Sequence, residues 1–194
     1  MKTKIVLATN NFGKIKEYQN AFKDLNVELL SLDDVDLKIE VEETEDNFKD
    51  NAFLKAKTIF EIVKMPVLAD DSGLTVKALK NLLGVKSKRF SKTGRDIDNN
   101  KLLLEKLKGI SDRSAEFVTV ICLYMSNEDI RFFEGRTKGE ILKEFHGDFG
   151  FGYDPLFKVE GTDKTYGEMT LDEKQIFSHR GKAIRKMIEY GRFN

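Results

Sequence analysis

The chain has 194 residues, 40% of them apolar, and its 33 Lys and Arg balance its 33 Asp and Glu. That length suffices for one domain with a substantial core, and the charge balance argues against coating a nucleic acid polymer, which calls for a basic excess. The single cysteine, Cys122, excludes an internal disulfide and fits a reducing compartment.

The opening MKTKIVLATNN holds an apolar run too short for a signal-peptide core. KIVLAT (4–9) is a short apolar run before polar residues, the pattern of a buried strand. GKIKEYQNAFKDL then carries Ile15, Tyr18, Phe22 and Leu25 at helical spacing, and VELLSL reads as a second strand. Between Asn47 and Lys64, Phe48, Ala52, Ala56, Ile59 and Val63 recur every three or four residues. This predicts an amphipathic helix, with Glu45 and Asp46 at its positive end. MPVLAD (65–70) returns to strand, Pro66 suiting a strand start. Ser72 and Gly73 read as the turn after it, and two adjacent acids, Asp70 and Asp71, stand between.

A further helix is predicted over 96–108, stopped by Gly109. SAEFVTVICLYM and IRFFEGRTKGEI, with SNED between them, read as a β-hairpin. The apolar stretch FVTVICLYM (117–125) is about half the length a membrane span needs. GDFGFGYDPLF (147–157) reads as a structured loop leading into a strand. Thr170 and Glu173 match a capping box, and Ser178 caps a last helix closed by Gly191. Strands that alternate with helices and then pair in a hairpin imply an α/β fold with a mixed sheet. No repeat, linker or low-complexity tract divides the chain, which is read as one domain, 1–194, cytoplasmic and without a membrane partner.

Four stretches carry chemistry, each with two readings. ATNNFGKIKE (8–17) is a strand end, a glycine turn and a helix start. It is either a capped turn with a solvated lysine or an anion site of backbone N–H groups beside Lys14. It lacks the GxxxxGK[ST] of a P-loop. EVEETED (40–46) has five acids in seven residues, either a solvated loop or one half of a Mg²⁺ site whose other half is ADDSG. FGFGYDP (149–155) is either an aromatic core turn or a surface on which a base stacks. KQIFSHRGKA (174–183) gathers Lys174, His179, Arg180 and Lys182, as structural residues or as readers of a phosphate or base edge.

Taken in order, ATNNFGKIKE, EETEDNFKDNAFLKA, LADDSGL, GRTKGEI, FGYDPLF, EMTLDEK and SHRGKA resemble the inosine triphosphate pyrophosphatase family nearly end to end. The resemblance implies an elongated mixed β-sheet flanked by helices, in two lobes with a nucleotide cleft between them, and a homodimer. It implies Mg²⁺-dependent hydrolysis of the non-standard purine triphosphates ITP, dITP and XTP to the monophosphate and pyrophosphate, which keeps deaminated purines out of DNA and RNA.

Residue by residue, Thr9, Asn10, Asn11, Phe12, Gly13 and Lys14 resemble the triphosphate cradle. Glu42 and Asp71 resemble the metal ligands, and Asp71 also the general base. Ser72 resembles a substrate contact. Phe151 resembles the base-stacking aromatic, with Gly152, Tyr153 and Asp154 forming the rest of that wall. Lys174 resembles a nucleotide contact, and His179 and Arg180 the readers of the purine edge. Asn51 and Lys55, one helical turn apart and on one face, point toward the same cleft.

The chain departs from the family pattern at Glu45 and Asn47, where glycine and threonine are common. It departs again across LGVKSKRF (83–90), where no site residue is assigned. The competing expectations are a related pyrophosphatase acting on another modified base, a nucleotide-binding regulator without turnover, and an RNA-binding module using Lys86, Lys88 and Arg89.

Overall fold

The computed structural model describes residues 2–80 and 82–191. The chain order is β1 (Thr3–Leu7), α1 (Phe12–Phe22), β2 (Val27–Leu30), α2 (Phe48–Val63) and β3 (Val67–Val76), then α3 (Asp96–Lys106), β4 (Ser114–Ser126), β5 (Asp129–Ile141), β6 (Phe157–Val159), α4 (Leu171–Phe177) and α5 (His179–Glu189). The strands form one six-stranded sheet in the order β2-β1-β3-β4-β5-β6. β1 runs parallel to β2 and to β3, with Ile5 opposite Leu29 and Leu7 opposite Leu68. β5 and β6 are antiparallel, so the sheet is mixed, as the α/β reading expects. Among the described residues no helix is long and apolar enough to cross a membrane.

The chain divides into two compact units. One gathers Met1–Asp71, Thr119–Gly135 and Gly181–Asn194, the other Ser72–Val118 and Arg136–Arg180.

In the first unit, strand alternation sorts the core into two halves. Ile5, Leu7, Leu68, Ile121 and Leu123 pack with Tyr18 and Phe22 of α1 and with Ala183, Ile184 and Met187 of α5. Their neighbours Val6, Ala8, Val67, Ala69, Cys122 and Tyr124 pack with Ala52, Ala56 and Ile59 of α2. Both faces are covered, which is why these strands read as continuous apolar runs rather than alternating ones. Each fully buried Leu or Ile contributes roughly 1.5–3 kcal/mol. Burial pushes the Cys122 thiol up to about 12, so it is an inert core residue and no nucleophile.

In the second unit one core joins Leu74 and Val76 of β3, Leu103 and Leu107 beside α3, Ala115 and Phe117 of β4, and Tyr153, Phe157 and Tyr166. Here the sequence reading needs a correction: Ser72 and Gly73 are not a turn. β3 continues unbroken to Val76 because Leu74 and Val76 have a core to enter. Gly73 is needed inside that strand because any Cβ there would strike the carbonyl of Gly84. The Ser87 hydroxyl holds the two segments together, accepting from Leu74 N at 2.9 Å and lying 2.5 Å from Gly84 O.

Side-chain caps close the starts of three helices, the predicted capping box among them. Asn11 and Asn47 cap α1 and α2 through their side-chain oxygens, and Thr170 with Glu173 forms the capping box of α4. β4 and β5 are joined through Asn127 and Glu128, inside the predicted SNED turn.

Candidate active site

The first group of functional side chains lies in the first unit, around the end of its stretch of β3. Alternation along the strand sends the two acids into different surroundings. Asp70 is 1% exposed and its Oδ2 faces Lys14 Nζ at 3.0 Å. The same oxygen accepts from the Thr119 hydroxyl at 3.3 Å. Asp71 is 3% exposed, and its Oδ2 accepts from Asn51 Nδ2 at 3.0 Å. Lys55, one turn after Asn51 on α2, donates to the Asp70 carbonyl at 2.5 Å and to Glu43 Oε1 at 2.7 Å. Asn51 also bonds both backbone groups of Glu45, which ties the acidic loop to α2.

The loop thus brings Glu43 to this cluster. Glu42, the acid that the resemblance assigned to a metal, is exposed. Periodicity could not separate the two, because the loop has none. The contacts that select Glu43 come from α2.

Burial raises the Asp71 carboxyl to about 6. Lys55 and Lys14 oppose that rise, Glu43 adds to it, and the Asn51 hydrogen bond opposes it. Desolvation wins because a carboxylate loses more in leaving water than two lysines at this range return. A carboxyl poised near neutrality can exchange a proton at working pH, and perturbed groups of this kind mark functional sites.

Thr9 and Asn11 shape the turn before α1: Asn11 N–H bonds Thr9 Oγ1 at 3.2 Å, and Asn11 Oδ1 receives Lys14 N–H at 3.1 Å. Asn10 is exposed, with Nδ2 at 3.4 Å from Ile39 O, and Phe12 is 81% exposed at the helix start. Gly13 lies between them and Lys14, half-buried. The turn, Lys14 and the two acids therefore share one neighbourhood in this unit.

The second group lies in the other unit. Arg180 is 1% exposed, the largest fully buried side chain of the described residues, and its guanidinium donates to Ser72 Oγ at 2.8 Å. The guanidinium also lies 5.9 Å from the centre of the Phe151 ring. Lys174 Nζ lies 4.6 Å from the centre of that ring and bonds Asp154 Oδ2 at 2.5 Å. Lys174 and Asp154 are both nearly sealed from solvent. A buried pair of this kind holds only while both charges are present.

His179 is 3% exposed and stacks flat on Phe117, centroids 4.7 Å apart and planes at 12°. Tyr153 is buried, burial pushes its phenol up, and it donates to Ser87 O at 2.7 Å. Gly150 takes a φ of 78°, and a Cβ there would collide with the Asp154 carboxylate. Glycine is therefore the residue this loop needs at position 150.

Two groups thus emerge: acids threaded by lysines, and buried cations set against an aromatic ring. Several members were not singled out by the sequence reading, among them Glu43, Thr119 and Phe117. Each meets its partner only through long-range packing.

The fold is that of an α/β protein built on one mixed six-stranded sheet. The chain belongs to the Ham1 family, which matches residues 5–190. It is 42% identical to a dITP/XTP pyrophosphatase of Aquifex aeolicus over 195 residues, covering 95% of each chain. It is 44% identical to the dITP/XTP pyrophosphatase of Staphylococcus epidermidis over 187 residues, covering 96% of this chain and 95% of that one. A HAM1 protein from Coxiella burnetii superposes with a TM-score of 0.86 at 38% identity, covering 97% of this chain and 98% of that one.

Proposed function

We propose that the whole chain is a nucleoside triphosphate pyrophosphohydrolase that converts ITP, dITP and XTP to the monophosphate and pyrophosphate. The observation that carries this reading is a buried Asp71 held near neutrality among Lys14, Lys55 and Glu43, in a member of the Ham1 family.

The step is a hydrolysis. A water oxygen bonds to phosphorus, the bridging P–O bond breaks, and pyrophosphate and the monophosphate separate. Asp71, ionised, takes the water proton. Lys14 and the N–H groups of the turn Thr9, Asn10, Asn11, Phe12 and Gly13 hold the triphosphate, whose charge suits a helix start. Lys55 opposes the developing phosphoryl charge. Phe151 stacks on the base, with Gly152, Tyr153 and Asp154 completing that wall. Lys174, His179 and Arg180 meet the nucleotide's polar edge. Hypoxanthine and xanthine carry a 6-oxo acceptor where adenine carries an amino donor. An Arg180 N–H donates to the first, whereas the second is itself a donor and offers it no acceptor, which lowers affinity for adenine.

The donor set fits Mg²⁺. Among the described residues no three His, Cys, Asp or Glu side chains gather as a preformed metal cage, and Mg²⁺ is commonly held by one or two carboxylates plus substrate phosphates. Asp71 would be one ligand and, by family resemblance, Glu42 the second; Glu43 is the acid whose charge reaches Asp71. When bound, the ion polarises a phosphoryl oxygen and lowers the pKa of water.

Cytoplasmic residence, a homodimer and a small-molecule substrate complete the proposal, carried by the resemblance. Pyrophosphate release from a panel of ITP, dITP, XTP, ATP, GTP and pyrimidine triphosphates, with and without Mg²⁺, tests it. Preference for a pyrimidine, or release independent of divalent ions, would overturn it.

A further inference from the structure

The loop that carries Phe151 is tied to α3 in a way the reaction has not yet used. Asp96 opens α3 and Asn100 follows one turn later, so both side chains leave the same helix face. Asp96 Oδ2 accepts the Gly152 N–H at 2.8 Å. Asn100 Nδ2 donates to the Gly152 carbonyl at 2.7 Å. One helix therefore holds both polar backbone groups of the residue that follows the stacking aromatic.

Gly152 adopts a φ of 62°, a left-handed conformation, so its peptide groups need outside partners to stay in place. Asn100 is only 3% exposed, which makes its bond a protected one. The other oxygen of Asp96, Oδ1, pairs with Lys88 Nζ at 2.9 Å, which keeps the carboxylate turned toward the loop. Lys88 lies in the 83–90 segment that departs from the family pattern, and Ser87 of that segment takes the Tyr153 hydroxyl at 2.7 Å.

We propose that Asp96 and Asn100 are positioning residues. They fix the Gly152 peptide so that the Phe151 ring stands where it stacks on the purine, beside Lys174 and Arg180. This rests on the pyrophosphatase reading. It predicts a selective loss: the base is held less well, while the triphosphate end is held as before.

The experiment uses the full-length protein with Asp96→Ala, Asp96→Asn and Asn100→Ala, read by steady-state kinetics on dITP, inhibition by inorganic tripolyphosphate, and amide hydrogen exchange at Gly152. A lost hydrogen bond to a charged group weakens binding by about tenfold. Asp96→Ala and Asn100→Ala are expected to raise KM for dITP by about that factor, leave kcat and the tripolyphosphate inhibition constant within about threefold, and speed Gly152 exchange. Asp96→Asn, which keeps an oxygen for the Gly152 N–H, is expected to recover most of the wild-type KM.

An unchanged KM in both alanine variants would overturn the proposal. So would a parallel loss for dITP and tripolyphosphate with a lowered melting temperature, which marks a merely structural role. Wild-type protein that releases no pyrophosphate from dITP would overturn the pyrophosphatase reading itself, and the base-positioning role with it.

Discussion

The two charge clusters handle the same problem in opposite ways. Around Asp70 and Asp71, lysines are tied to carboxylates and carbonyls, with Lys14 and Lys55 keeping about a tenth of their side-chain surface in contact with solvent. Around Phe151, Lys174 and Arg180 are sealed away and lean on aromatic faces, one acid and one hydroxyl. The first arrangement lets Asp71 change protonation near pH 6, because desolvation outweighs the opposing charge of Lys55 and Lys14. The second fixes its cations, because Lys174 is held to the buried Asp154 carboxylate and Arg180 to the Ser72 hydroxyl. A proton-exchanging group suits bond breaking, and rigid donors suit discrimination among bases.

Substitutions can break this comparison, beginning with the largest effect. Asp71→Asn is expected to reduce kcat by about 10²–10⁴-fold, the scale of general base catalysis, while far-ultraviolet circular dichroism stays native. Near-normal turnover would remove Asp71 from the base role. Asp154→Ala leaves Lys174 buried without its carboxylate and is expected to cost about 3–5 kcal/mol in urea unfolding. By contrast Glu43→Gln, at a half-buried pair, is expected to cost about 1 kcal/mol or less.

The pH dependence sharpens the contrast. Asp71 is raised from 3.8 to about 6 in the folded protein. Between those values the folded state binds more protons than the unfolded chain, so stability falls as pH rises through that window. The shift of about two units corresponds to about 3 kcal/mol. Asp71→Asn should therefore be more stable than the wild type at pH 7, and thermal melts from pH 4 to 8 check it. Activity should run the other way, rising as Asp71 ionises near pH 6. Raising Mg²⁺ from subsaturating to saturating should move that limb to lower pH, since a bound cation favours the carboxylate.

Arg180→Ala should narrow the ratio of kcat/KM for ITP over ATP by about tenfold or more, the scale set by one unpaired buried donor. An unchanged ratio would place the base reading elsewhere. The smallest and most discriminating test compares Glu42→Gln with Glu43→Gln for the Mg²⁺ concentration giving half-maximal rate. The larger increase identifies the second ligand.

Much of this was legible in the chain itself. Thr170 and Glu173 announced α4 because a capping box is a local contact, made within three residues. The pattern of Phe48, Ala52, Ala56 and Ile59 announced α2 because a helix face repeats in sequence. Ser72 and Gly73 misled, since a polar residue followed by glycine has the composition of a turn. Only the distant core waiting for Leu74 and Val76 keeps that stretch extended.

By itself, then, the sequence determined the element order, the α/β class and the capping box of α4, because each of those depends on neighbours a few positions away, while the candidate residues came from the family resemblance. The tertiary structure alone decided that Asp70 meets Lys14 while Asp71 meets Asn51, that Glu43 is the acid joined to Lys55, and that α3 grips Gly152 from both sides. Those pairings join residues separated by 12 to 56 positions. Burial and partner charge, the quantities that raise a carboxyl or seat a lysine on a ring, exist only once such positions have been packed together.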